Sequence, residues 1–221
     1  MRLEVVTARG PGPLLALDRP RVVVVGFSAR ESAEVERHIA ELRQEGIDAP
    51  ETVPAFYSLP PEILATDGET LSVHGSRTSG EVEPVLLIHN GIWYVTVGSD
   101  HTDREVERRS IPAAKAAAPK VVARTAWPWS EVADHWDALR LTAWRAAGEL
   151  YQDGPVALLR APTSYDLDSW RPAGEDLVWF LGTIPTRGGL AYDRHFRGRL
   201  TDPVRRRAID LDYHIRPGGL G

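Results

Sequence analysis

Three carboxylates stand where strand geometry could gather them. Residues Gly80–Asp100 contain Glu81-Val82-Glu83, an apolar run, Asn90-Gly91, a second apolar run, and then Gly98-Ser99-Asp100. Asn-Gly between apolar runs is a strong signal for a two-residue hairpin turn. With that turn His89 pairs with Ile92, Glu83 with Gly98, and Glu81 with Asp100. Opposed residues project from one face of a sheet, as do residues two apart on a strand. Val82, Leu86, Ile88, Trp93, Val95 and Val97 then share an apolar face. Glu81, Glu83 and Asp100 share the other, with Gly98 leaving room between them. Like charges this close repel and need neutralising. Mg²⁺ would do so, as would Mn²⁺ or Ca²⁺, because hard divalent ions prefer oxygen ligands. The plainer reading is a solvated acidic strand end, and a register slip of one residue would send Asp100 to the opposite face.

The elements that must position these groups are mostly strands. Leu3–Val6, Arg21–Val25, Thr70–His74, Val82–Ile88, Ile92–Val97, Val156–Arg160, Leu177–Leu181 and Arg207–Ile215 are apolar or alternating runs bounded by turn residues. Apolar spacing predicts a helix over Ser32–Gln44, burying Val35, Ile39 and Leu42, and a second over Glu131–Ala147 capped by Ser130. Strands in such excess, without regular alternation with helices, imply an α+β fold that is mostly β.

Composition narrows the function. In 221 residues, 43% are hydrophobic and 26% charged, which is enough to bury a core unaided. We read one domain over residues 1–221, with 1–20 as a candidate N-terminal extension. Cysteine is absent, which excludes disulfides and thiolate chemistry. A net charge of −5 argues against a non-specific nucleic-acid binder. No run approaches the ~18 apolar residues of a membrane span, and Glu4 breaks the start of any signal-like segment. The expected location is cytoplasmic, with no membrane partner. Of 26 basic residues only Lys115 and Lys120 are lysines.

These residues together resemble the fumarylacetoacetate hydrolase superfamily, in a divergent branch. Its members carry Glu-x-Glu, then a strand ending in an Asn-Asp-x-Ser/Thr-Ala-Arg-Asp-like segment. Here Glu81-Val82-Glu83 precedes Ser99-Asp100-His101-Thr102-Asp103-Arg104-Glu105. The resemblance places the divalent ion on Glu81, Glu83 and Asp100, the residues that hairpin parity gathers. It also implies a pocket lysine, best matched by Lys115, with Lys120 as the alternative. Val178–Pro185 resembles a late strand and Gly-Thr-Pro turn whose threonine, here Thr183, contacts substrate. Val23–Ser28 resembles the opening strand, and Pro54–Tyr57 the segment that closes over ligand. The similarity spans about residues 21–215. One departure concerns the catalytic histidine, whose position falls at Ser32; the nearest His-x-x-Glu is His38-Ile39-Ala40-Glu41.

The resemblance implies a mixed β-roll with short peripheral helices, a homodimer, and a small 2-oxo acid or 1,3-dicarbonyl substrate. The implied activity is an acylpyruvase-like hydrolase, in which a metal-stabilised enolate accompanies C–C cleavage. Lys115 would add positive charge, and His38 with Glu41 would activate water. A lyase or isomerase (decarboxylase, hydratase or tautomerase) could use the same site, and an inactive metal-binding or structural relative is the third reading. Two side chains carry competing roles. Arg104 is either a fork for a substrate carboxylate or an ion-pair partner of Asp103 or Glu105. His38 and Glu41 also belong to a polar stripe with Glu31, Glu34 and Glu45, as on any solvated helix face. His101 should face away from the carboxylates, and Asp210 and Asp212 read as structural.

Overall fold

The computed structural model describes residues 1–44, 46–166, 169 and 174–218; Glu45 and the last three residues of the predicted domain lie outside them. The elements are β1 (Arg2–Thr7), β2 (Gly10–Ala16), β3 (Arg21–Gly26), α1 (Ser32–Gln44), β4 (Ala55–Leu59), β5 (Leu64–Thr66), β6 (Thr70–Val73), β7 (Thr78–Ser79), β8 (Val82–His89), β9 (Ile92–Asp100), β10 (Thr102–Asp103), α2 (Arg104–Glu107), α3 (Ile111–Ala117), β11 (Lys120–Val122), β12 (Thr125–Pro128), β13 (Arg140–Trp144), β14 (Leu150–Pro155), β15 (Leu177–Phe180), β16 (His195–Asp202) and β17 (Arg207–Pro217). The fold is α+β and mostly β. None of the described helices is long and apolar enough to cross a membrane.

Two sheets carry the architecture. A ten-stranded mixed sheet runs β2–β1–β12–β9–β8–β15–β3–β4, with β11 and β5 joined beside β9. A five-stranded sheet runs β14–β13–β16–β17–β6. One apolar cluster lies between them, built from residues such as Val82, Leu86, Val95, Trp179, Leu141 and Leu211. A second cluster lies on the other face of the large sheet and joins Leu3 and Leu15 at one end to Val24 and Leu59 at the other. Both ends of a sheet can share one core only if the sheet curls, which makes it a roll.

The central hairpin forms as its sequence predicts. Asn90 and Gly91 take φ values of 51° and 78°, both positive as a type I′ turn requires. His89 pairs with Ile92 and Glu83 with Gly98, and the Asp100 amide donates to the Glu81 carbonyl at 3.1 Å. On the carboxylate face, Val85 and Leu87 continue into the second cluster. Glu83 and Asp100 therefore lie at one end of the roll's own interior.

The second predicted helix is not one. Residues Trp129–Glu131 and Ala133–Ala138 form short 3-10 turns, and Arg140–Trp144 is strand β13. Val132, Trp136, Leu139 and Ala143 fit a helical period, but Leu139, Leu141 and Ala143 also alternate as a strand. Pairing of β13 with both β14 and β16 decides between the two. Val156–Leu158, read as part of a strand, is likewise a 3-10 turn. Helix α1 has the predicted bounds, but only Val35 of its stripe is fully buried.

Candidate metal centre

Strands β8 and β9 bring together the predicted carboxylates. Glu81, Glu83 and Asp100 each offer an oxygen, and these lie within 4.8 Å of one another. Asp100 is fully buried and Glu83 is 2% exposed. Glu81 immediately precedes β8, where its amide donates to Ser99 Oγ at 3.1 Å.

Each carboxylate has different partners. Asp100 Oδ1 pairs with Lys120 Nζ at 2.9 Å, and Asp100 Oδ2 accepts from Lys115 Nζ. Burial alone would raise the Asp100 pKa, but these ammoniums hold it well below the usual carboxylate range. Glu81 Oε1 pairs with Arg104 Nη2 at 2.8 Å, and Glu81 Oε2 lies 3.7 Å from Lys115 Nζ. Burial again acts upward on Glu81, and Arg104 and Lys115 outweigh it. Glu83 is the exception. Its Oε2 accepts from the Gly182 amide at 2.9 Å, and among the described residues it has no ion pair. Burial, and then the charge of Asp100, push its pKa well above the ordinary value.

The turn at Gly182 shapes this environment. Gly182 has φ +97°, and a Cβ there would lie 1.7 Å from Ser28 Oγ. Only glycine can present that amide to Glu83. Gln152, which the sequence reading did not single out, latches the same turn: its Oε1 accepts from the Val82 amide at 2.9 Å. Its Nε2 donates to Thr183 Oγ1 at 2.8 Å and to the Ile184 carbonyl at 2.6 Å. A lone glutamine in a strand carries no motif that could have revealed this. Gly98 does not make room among the carboxylates. An added Cβ would meet the Val121 carbonyl at 2.6 Å and Phe180 at 2.8 Å, so the glycine admits neighbouring strands.

The cations come from short elements after β9. Asp103 caps α2 by accepting from the Glu105 and Val106 amides. That aims Arg104 inward, where Nε donates to Ser79 Oγ at 2.7 Å and Nη1 to Glu107 at 2.8 Å. The buried guanidinium also lines the cavity beside the centre. Its ion pairs run to Glu81 and Glu107, not to Asp103 or Glu105. On α3, Lys115 is held charged: burial opposes the charge, but Asp100 and Glu81 outweigh it. Lys120, at the start of β11 opposite Asp100, donates to the carbonyls of His101 and Ala118. Its pKa is lowered by burial. His101 turns away as parity requires, with Nδ1 3.1 Å from Tyr213 Oη. Burial, with Lys120 and Arg104 nearby, lowers its pKa to about 3.

A cavity of about 590 Å³ opens onto this centre and is lined by Glu81, Glu83, Lys115, Thr183, His38 and Glu41, among others. Thr183 Oγ1 donates to the Val82 carbonyl at 2.8 Å. His38 and Glu41 sit at the opening, with side chains 58% and 60% exposed and Nδ1 3.7 Å from Oε2. The His38 ring leans on Phe27 at 5.4 Å.

The donor set fits a hard divalent ion. It offers anionic oxygens, and among the described residues the buried Glu83 has one hydrogen-bond donor and no ion pair. Arg104 occupies Glu81 Oε1 alone, leaving Glu81 Oε2 and Glu83 to an ion. Lys115 is the competitor, since it touches Asp100 and approaches Glu81.

Comparison with known proteins places this geometry. A 2-keto-3-deoxy-D-arabinonate dehydratase, solved with magnesium and 2,5-dioxopentanoate, aligns with a TM-score of 0.62 at 16% identity, over 91% of this chain and 75% of the dehydratase. A 5-carboxymethyl-2-hydroxymuconate delta-isomerase from Mycobacterium smegmatis aligns with a TM-score of 0.62 at 16% identity, over 96% and 88%. A fumarylacetoacetate hydrolase family protein from Yersinia pestis CO92 aligns with a TM-score of 0.65 at 18% identity, over 96% and 100%. The chain thus has the fumarylacetoacetate hydrolase fold. No curated protein matches its sequence. Residues 25–213 match the family described as protein of unknown function DUF2848, and the chain belongs to that family.

Proposed function

We propose that this protein is a divalent-metal-dependent hydrolase that cleaves a C–C bond in a small 2-oxo acid or 1,3-dicarbonyl compound. The observation that carries the reading is Glu83: a buried carboxylate beside two others, with no ion-pair partner among the described residues. Glu81, Glu83 and Asp100 would hold the ion, Mg²⁺ being the best match to the donor set. A bound divalent ion supplies Lewis-acid polarisation of substrate oxygens.

The remaining roles belong to side chains of the chain itself. Lys115, held charged at the cavity wall, stabilises negative charge developing on a substrate oxygen. Arg104 fixes Glu81 in place. Thr183 gives its proton to Val82 and receives one from Gln152, which leaves one lone pair to accept from substrate. His38, oriented by Glu41, takes a proton from the attacking water. The fold and the magnesium-bound dehydratase of the same fold support the substrate class.

A lyase or isomerase is the second reading. The 3.7 Å separation of the exposed His38 and Glu41 favours it, because neither reaction needs a water held by that pair. Two measurements test the whole. Calorimetric Mg²⁺ titration should show binding to the wild type and none to Glu81→Ala; equal, negligible heats from both remove every metal-dependent reading. Turnover of 2-oxo acids should fall about 10²–10⁴-fold in His38→Ala if the residue is the general base. Unchanged turnover transfers the assignment to the lyase or isomerase.

A further inference from the structure

Strand alternation sets a second cluster of ligating side chains on the outer face of the five-stranded sheet. Tyr213 points inward, where its hydroxyl meets Ser99 and His101. Asp212 and His214, on either side of it, point outward. His195 lies directly opposite His214, and Arg197 opposite Asp212. The rings of His195 and His214 stack at 4.2 Å with 17° between their planes. Asp212 Oδ1 lies 2.9 Å from His195 Nε2. A ligand atom from each of the three lies within 4.8 Å of the others.

The cation that register places opposite Asp212 does not take it. Arg197 makes no ion pair among the described residues, and its Nη2 would lie 3.7 Å from a Cβ on Gly148, so it extends toward the turn between β13 and β14. Arg199, further along β16, pairs with Asp210 and lies over Trp144. Among the described residues the Asp212 carboxylate pairs with His195.

We infer that His195, Asp212 and His214 form a second metal site, for a borderline divalent ion such as Zn²⁺, Cu²⁺ or Ni²⁺. Imidazole nitrogen suits these ions, whereas Mg²⁺ takes oxygen. The two sites therefore differ in the ion they select as well as in place. Two imidazoles and one carboxylate leave the solvent side open, where water completes the shell. Bound Zn²⁺ sits about 2.0–2.1 Å from nitrogen, so the cluster tightens on binding by rotation of exposed side chains. The ion ties β16 to β17 at the end where Arg194 also bonds the Ile215 amide.

The inference does not depend on the catalytic proposal, and one experiment separates them. The tag-free, chelator-stripped full chain is titrated calorimetrically with Zn²⁺ as wild type, His195→Ala, His214→Ala and Glu81→Ala. The expected result is a Zn²⁺ class weakened at least tenfold in each histidine variant and retained in Glu81→Ala. Cu²⁺ bound to the wild type should give an electron paramagnetic resonance spectrum with two coupled nitrogens, reduced to one in His214→Ala. Superimposable isotherms for the wild type and both histidine variants overturn the site. So does a class lost in Glu81→Ala but kept in the histidine variants. Metal-free melting curves check the fold, and if His214→Ala melts early, His195→Gln and Asp212→Asn carry the same comparison.

Discussion

The carboxylate centre and helix α1 border one cavity by opposite means. At the centre most charged groups are buried and held by named partners: Asp100 by two lysines, Glu81 by Arg104, and Arg104 in turn by Glu107 and Ser79. On α1, His38 and Glu41 are more than half exposed; they pair with each other, and the His38 ring rests on Phe27. Strands with defined register can fix an array of charges against the cost of burying them. A solvated helix face cannot, because water competes for each group. The centre is thus preorganised to stabilise charge, while the exposed side chains of α1 are not.

The largest consequence falls on Asp100. Removing it as Asp100→Ala leaves Lys115 and Lys120 buried around a missing counterion. Breaking a buried pair in this way costs about 3–5 kcal/mol. Urea denaturation at neutral pH should show that loss, and a loss below about 1 kcal/mol, the range of exposed pairs, would mean the centre is solvated like α1. Next comes Gly182→Ala. The new Cβ collides with Ser28 and strains a positive φ, costing about 1–3 kcal/mol. Replacing Ser28 by Gly in the same chain should recover part of the loss, since it relieves the collision but not the backbone.

Glu83 sharpens the comparison through pH. Its folded pKa is raised well above the ordinary glutamate value of 4.5, so the folded state holds a proton the unfolded state has released. Its contribution is fully present below 4.5 and is lost as pH rises toward the folded value. The lowered pKa values of Glu81 and Asp100 act the other way and matter only on the acid side. Chelator-treated protein should therefore lose stability above pH 4.5 with a slope of up to about 1.4 kcal/mol per pH unit. Glu83→Gln, which can still accept from Gly182, should flatten that slope. Mg²⁺ should flatten it in the wild type.

The same contrast explains what the sequence disclosed. The hairpin was legible because Asn90-Gly91 fixes a turn, the turn fixes a register, and register fixes which carboxylates converge. Helix α1 was legible because its boundary residues and period agree. Residues 131–147 were not, since two periods fit them and long-range pairing chose the strand. The partners of Arg104 escaped because they lie 23 positions back, at Glu81, and one helical turn ahead, at Glu107. Gln152 escaped for want of a motif, and His195 because its partners, Asp212 and His214, lie on another strand.

The smallest effect belongs to His38, and it is informative for being small. Substitution of a side chain this exposed should change stability by no more than about 0.5 kcal/mol, because nothing buried depends on it. A His38→Ala protein that melts with the wild type but turns over slowly would place the residue's work in the reaction alone. A loss of 2 kcal/mol or more, the scale of about one buried apolar side chain, would show that α1 is held against the cavity in solution. The division between a fixed half and an exposed half of the pocket would then fail.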